Sequence, residues 1–78
     1  NKGYALKALC RILNISENEV MAFGDSGNDC EMLRTAGYSY ATANAWEEAK
    51  RAAKNITLSN EDDGVAVQIE KYLENIKE

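Results

Sequence analysis

An α/β fold on a small parallel sheet is predicted for this chain, and three observations carry the prediction. Helically spaced apolar stripes alternate along the sequence with short apolar or β-branched runs, the pattern of strands joined by right-handed helical crossovers. The run Val20-Met21-Ala22-Phe23 suits a parallel strand covered on both faces. That run stops abruptly at Gly24-Asp25, which is how a buried strand delivers a carboxylate to the edge where open α/β sheets bind their ligands.

Each element has its own signal. Ala5, Leu6, Leu9, Ile12 and Leu13 recur at helical spacing, giving an amphipathic helix from Gly3 to Leu13 with Lys7 and Arg11 outside and Asn14 as its stop. Ser16-x-x-Glu19 has capping-box spacing but leads straight into the strand, so it predicts a turn. After the acidic loop, Cys30, Met32, Leu33 and Ala36 give a short helix that Gly37 ends in a left-handed cap. Tyr38-Ser39-Tyr40-Ala41 follows as a second strand. Ala45, Trp46, Ala49, Ala52 and Ala53 form a third helical stripe with Trp46 in the core. Asn55-Ile56-Thr57 is a brief third strand, and Val65, Ala66, Ile69, Tyr72, Leu73 and Ile76 mark a terminal helix.

Composition narrows the function. The chain has 78 residues, enough for one domain at most, and its start at Asn1-Lys2-Gly3 without an initiator methionine predicts a piece of something longer. Net charge is −4, and the nine basic residues are scattered, so no basic stripe exists for a nucleic-acid backbone. No apolar stretch approaches the roughly 18 residues of a membrane span, and a cytoplasmic location is expected. Cys10 and Cys30 lie on apolar helix faces without Cys-x-x-Cys spacing, as buried reduced thiols would. With no histidine at all, His metal ligands and His base chemistry are outside this segment's reach.

The residues with chemistry to offer are few. Asp25 falls at the strand's carboxyl end and Asp29 at the start of the next helix, four positions on; such a pair can share a hard cation such as Mg²⁺. The alternative is that Asp25 stabilises the turn and Asp29 complements the helix dipole. Lys2 stands at the mouth of the first helix, near the same edge if that helix returns into the strand. It is either a solvated terminal side chain or an ammonium that neutralises a phosphate or keeps a carboxylate ionised.

Taken in order, Lys2-Gly3-x-Ala5-Leu6, Val20-Met21-Ala22-Phe23-Gly24-Asp25-Ser26-Gly27-Asn28-Asp29, Met32-Leu33, Ala36-Gly37, Ala43-Asn44-Ala45 and Ser59-Asn60-x-x-Asp63-Gly64-Val65-Ala66 resemble the C-terminal portion of Cof-type phosphatases of the haloacid dehalogenase superfamily. The resemblance spans nearly the whole chain. It implies a Rossmann-like three-layer core with parallel strands, residues 1–78 being the C-terminal fragment of the catalytic core. It also implies a Mg²⁺-dependent phosphatase acting on a small phosphorylated metabolite, such as a sugar phosphate, through an aspartyl-phosphate. In that reading Asp25 is a metal ligand, Asp29 a supporting acid at the metal, Asn28 a donor to phosphate or substrate, and Lys2 the lysine contacting phosphate and nucleophile. The family's nucleophile motif and cap domain are not in this chain, so the missing N-terminal part of the same protein is an expected partner and the fragment alone is expected to be inactive. Tyr40-Ala41-Thr42-Ala43 departs from the family's commoner Gly-Val-Ala-Met type, which leaves open whether Tyr40 and Thr42 serve local packing or a substrate-facing contact.

Three other readings compete: a calcium-binding loop, a phosphoacceptor receiver domain and a catalytically silent interaction module. Ser59-Asn60-Glu61-Asp62-Asp63-Gly64, continuing to Glu70, has acids and a glycine at calcium-loop positions, but Ser59 is a weak first ligand and the residues before it read as extended. An acidic turn capping the last helix is the simpler account. A receiver domain also combines acids and a lysine on a parallel sheet, but its acids precede its lysine along the chain, whereas Lys2 precedes Asp25 here.

Overall fold

The computed structural model describes residues 1–59 and 62–76; Asn60 and Glu61, two positions of the acidic turn, lie outside the described residues, as do the last two of the chain. The elements are α1 (Lys2–Leu13), β1 (Met21–Gly24), α2 (Cys30–Thr35), β2 (Tyr38–Thr42), α3 (Glu47–Ala52), β3 (Asn55–Thr57) and α4 (Gly64–Ile76), with one-turn 3₁₀ segments at Glu17–Glu19 and Gly27–Asp29. The strands form a parallel sheet in the order β1-β2-β3, with Phe23 beside Tyr40 and Ala41 beside Ile56.

Strand parity sorts the layers. Ala41 points to one face, where it is buried with Leu33, Ala45 and Ala49, so α2 and α3 cover that side. Tyr38 and Tyr40 point to the other. There Tyr38 meets Tyr72 of α4 with ring centroids 6.1 Å apart, and Gln68 of α4 donates to the Tyr40 hydroxyl at 3.1 Å. The result is the three-layer arrangement expected from the sequence, with the α2–α3 side built almost wholly of small residues that let helix and sheet approach closely.

Several local expectations need correction. Trp46 is not in the core: it is 70% exposed, because α3 begins one residue later and Trp46, at the N-cap, turns outward in extended conformation. Gly37 does not adopt a left-handed conformation, and no glycine here does. Its role is steric, since a Cβ there would fall 2.1 Å from the Asn18 carbonyl oxygen. The left-handed stop is at Asn14 after α1, φ 59°, where the short polar side chain tolerates it. Cys30 is half-buried and donates weakly to the Glu48 carbonyl at 3.5 Å; Cys10 is buried, and both are free thiols. Burial, and then the nearby Glu17 and Glu19, push the Cys10 thiol above its ordinary value.

The apolar stripe of α1 is largely uncovered. The helix meets α2 at Gly3, beside Glu31, and buries Cys10, while Leu9, Leu13 and especially Ile12, 79% exposed, face solvent. The Ser16–Glu19 capping box does form, with the Asn18 amide donating to Ser16 Oγ and the Ser16 amide to Glu19 Oε1; it closes the Glu17–Glu19 turn, as its spacing predicts. In the acidic segment the Ser59 carbonyl accepts the amides of Asp62 and Gly64, and Asp63, at φ 55°, leads into α4. A calcium loop would need an entering helix there, and residues 55–57 are β3 instead.

Candidate active site

The site is assembled at the carboxyl end of β1, where the backbone bends sharply through residues 24–29. Gly24 makes the bend possible by what it lacks: a Cβ on it would sit 2.6 Å from the Asp29 Cβ. Asp29 lies at the end of the Gly27–Asp29 turn and folds back over the strand end. Its Oδ2 accepts the amide of Asp25 at 3.0 Å, the amide of Ser26 at 3.2 Å and the Ser26 hydroxyl at 3.3 Å. Its Oδ1 accepts from Lys2 Nζ at 2.5 Å.

Lys2 reaches Asp29 across 27 positions of sequence because α1 packs its first turn against α2. Gly3 permits the approach, since a Cβ there would lie 2.8 Å from the Glu31 Cβ. The lysine therefore sits at the strand's edge as the helix-return reading requires, although its side chain remains half in water.

Asp29 is 5% exposed and its neighbours determine its charge state. Burial alone would raise its carboxyl; the hydrogen bond from Lys2, those from the Asp25 and Ser26 amides, and the charge of Lys2 outweigh it and hold the group below the ordinary carboxylate value. Asp29 is thus an internal anion with its lone pairs largely engaged. Asp25 is the opposite case. Its backbone is fixed at both ends, the amide on Asp29 and the carbonyl on the Trp46 amide at 2.9 Å, while its carboxylate is exposed and makes no hydrogen bond or ion pair among the described residues.

Lys2, Phe23, Gly24, Asp25, Asp29, Thr42 and Val65 enclose a pocket of about 270 Å³. Three of the four residues singled out from the sequence, Lys2, Asp25 and Asp29, meet there. Asn28 does not line it; it is exposed, and its Oδ1 accepts from the Ser26 hydroxyl at 2.6 Å. The pocket adds Phe23, which stacks on Tyr40 at 5.5 Å, Val65 from the first turn of α4, and Thr42 at the end of β2. Thr42 was legible only as a departure from a familiar pattern, because sequence spacing does not show that the end of β2 shares a pocket with the end of β1.

The donor set suits a hard cation in part. Asp25 offers an unengaged carboxylate, Asp29 is committed to Lys2 and to backbone amides, and no group of three or more His, Cys, Asp or Glu that could hold a metal exists among the described residues. One carboxylate beside a pocket is compatible with Mg²⁺, which retains much of its water, provided that further ligands come from outside this chain.

Fold and pocket together define part of a parallel α/β core with acids gathered at the carboxyl end of its first strand. The chain belongs to the haloacid dehalogenase-like hydrolase family, whose model matches residues 1–69. Among individual proteins, it is 43% identical over 75 residues to the 5-amino-6-(5-phospho-D-ribitylamino)uracil phosphatase YbjI of Escherichia coli K12, covering 96% of this chain and 28% of that protein. The crystal structure of SMU.1108c from Streptococcus mutans UA159 superposes with a TM-score of 0.91 at 48% identity, covering 94% of this chain and 27% of that one. A subclass IIB sugar phosphatase of the same superfamily gives a TM-score of 0.86 at 33% identity over 92% of this chain and 28% of that one. The chain therefore spans little more than a quarter of the length of these proteins.

Proposed function

We propose that this chain is the C-terminal part of the catalytic core of a Mg²⁺-dependent phosphatase acting on a small phosphorylated metabolite. The observation that carries the reading is the convergence of Lys2, brought from the far end of α1, with Asp25 and Asp29 in one pocket at the end of β1. Phosphoryl transfer needs positioning and charge neutralisation more than covalent participation from most of the site, and these residues supply both.

Asp25, with its free carboxylate, would ligate Mg²⁺, which when bound neutralises charge on the phosphoryl oxygens. Asp29 supports it: its carboxylate holds the Asp25 amide, fixing where the Asp25 side chain begins, and keeps Lys2 at the pocket. Lys2 has protons left to donate to a phosphate oxygen or to the nucleophile. Asn28, exposed at the tip of the loop, is available as a donor to substrate. The nucleophilic Asp, the aspartyl-phosphate it forms and the cap belong to the N-terminal part of the same protein, which lies outside these 78 residues; residues 1–78 alone would be inactive. A phosphorylated sugar or sugar alcohol is the favoured substrate class, by analogy with the phosphoribityl and sugar substrates named for two of the relatives above. No helix among the described residues is long and apolar enough to cross a membrane, and the cytoplasm is the proposed location.

The test uses the full-length protein with p-nitrophenyl phosphate and a panel of phosphorylated sugars, with Mg²⁺ and with chelator. Phosphate release that requires Mg²⁺ and falls roughly a thousandfold in Asp25→Ala, about 4 kcal/mol of transition-state stabilisation, is the expected result. Wild-type protein that releases phosphate from none of them, or an Asp25→Ala variant of undiminished activity, overturns it.

A further inference from the structure

We propose that Tyr40 is a positioning residue for the pocket at the end of β1: its ring and its hydroxyl hold the two apolar walls, Phe23 and Val65, at a fixed separation, which selects for small groups on the substrate phosphate. The inference rests on the reading of this pocket as a phosphatase site and adds a size limit to it.

Tyr40 does not line the pocket, but residues on both sides of it do or are tied to those that do. On one side its ring stacks on Phe23, with centroids 5.5 Å apart and planes inclined by 20°. On the other its hydroxyl accepts from Gln68 Nε2 at 3.1 Å, and Gln68 lies three positions after Val65 in α4, the helical spacing that puts two side chains on one face. Phe23 belongs to β1 and Val65 to α4. Tyr40, on β2, ties one wall to the other.

The tie is part of a matched register between strand and helix. Tyr38, two residues back along β2, meets Tyr72, four residues on along α4. A strand advances roughly 6.6 Å in two residues and a helix about 6 Å in four, so β2 and α4 run antiparallel in step. The next turn of the helix delivers Val65 to the carboxyl edge, where Thr42 ends β2 and both line the pocket. Of the two ties, the outer one joins partly exposed rings, Tyr38 at 46% and Tyr72 at 39%, and such a contact tolerates sliding. The bond between Gln68 and Tyr40 is nearer the pocket and has a fixed length. Phenylalanine at position 40 would keep the stack on Phe23 and lose the hold on α4.

The experiment measures kcat and KM of the full-length protein on phenyl phosphate and on the wider 1-naphthyl phosphate, for wild type, Tyr40→Phe, Gln68→Leu and Gln68→Glu. The preference for phenyl over naphthyl, as a ratio of kcat/KM values, is compared between proteins, so the intrinsic reactivity of each ester cancels. Tyr40→Phe and Gln68→Leu are expected to reduce that preference by about threefold or more, within the range that loss of one hydrogen bond allows, through KM and with kcat on phenyl phosphate unchanged. Gln68→Glu is expected to keep the wild-type preference, because the tyrosine hydroxyl can donate to a carboxylate. An unchanged preference in Tyr40→Phe or in Gln68→Leu overturns the inference. So does a loss in Gln68→Glu equal to that in Gln68→Leu, or a change confined to kcat, which would place Tyr40 at the reacting atoms. Wild-type protein that hydrolyses neither ester overturns the phosphatase reading itself and is thereby distinguished from a failure of Tyr40 alone.

Discussion

The amide of Asp25 donates to the carboxylate of Asp29, 3.0 Å away, so one acid of the site serves as the mould for the other. The charge of Asp29 is spent inward, on Lys2 and on backbone amides, and the charge of Asp25 is left facing the pocket. Two residues that look equivalent in the sequence are divided by the fold into a support and an exposed ligand group.

The division has a pH signature. The Asp29 carboxyl is held below its ordinary value in the folded protein, so its contribution to stability is fully present above the unfolded value of about 3.9 and is lost as pH falls through the folded value. Urea unfolding of the full-length protein and of Asp29→Asn, from pH 7 to pH 3, should show wild type more stable at neutral pH and its advantage shrinking below about pH 4. A constant difference across that range would mean that the Asp29 carboxylate is not held by its neighbours.

Lys2 should matter more to rate than to stability. Its ion pair with Asp29 is half in water, where such pairs contribute at most about 1 kcal/mol. Its role at a phosphoryl group is one that an uncharged side chain cannot fill. Lys2→Met in the full-length enzyme is expected to lower kcat/KM by on the order of a hundredfold, about 3 kcal/mol, with a small change in melting temperature. Equal losses in rate and folded fraction would assign Lys2 to structure instead.

Gly24→Ala tests the bend. The added methyl would overlap the Asp29 Cβ at 2.6 Å, and because both sides of that contact are anchored, the cost should be about 1–3 kcal/mol with loss of activity. Since Asp29 must move to relieve the overlap, the crystal structure of the variant should have a broken Asp25–Asp29 contact. Wild-type kinetics in this variant would show that the bend tolerates a side chain.

How much of this could be read beforehand differs by element. The alternation of strand and helix was legible because each apolar run is short and bounded, and the Gly24–Asp29 segment because glycine and acids after an apolar strand have few uses. Trp46 was misjudged because helical spacing cannot tell the first residue of a stripe from the cap before it, and a shift of one residue turns that side chain to solvent. Gly37 was assigned a conformation when it supplies only room, since the Asn18 carbonyl it must clear is distant in sequence. The apolar face of α1 was expected to be core and is bare, because periodicity reports which face is apolar but not what covers it.

That bare face and the free edge of β1 define the behaviour expected of the isolated segment. β1 pairs only with β2 among the described residues, which leaves one row of its backbone groups without strand partners, and such edges template association. Residues 1–78 expressed alone should elute from size-exclusion chromatography as associated species, or exchange amide hydrogens rapidly from Met21 to Gly24. A monodisperse monomer with strong protection there would mean that the segment closes its own core.

Gly3 carries no functional group, yet it sets the spacing on which the Lys2–Asp29 pair depends. At that point α1 and α2 touch with no room for a methyl, the nearest atom lying 2.8 Å from where one would be. Lys2 is the adjacent residue, so a displacement of the helix there passes to the ammonium with little to absorb it. A side chain at position 3 would act as a shim, widening the gap between two charges it never touches, and the reach of the lysine into the pocket is in that sense metered by the volume of an absent atom.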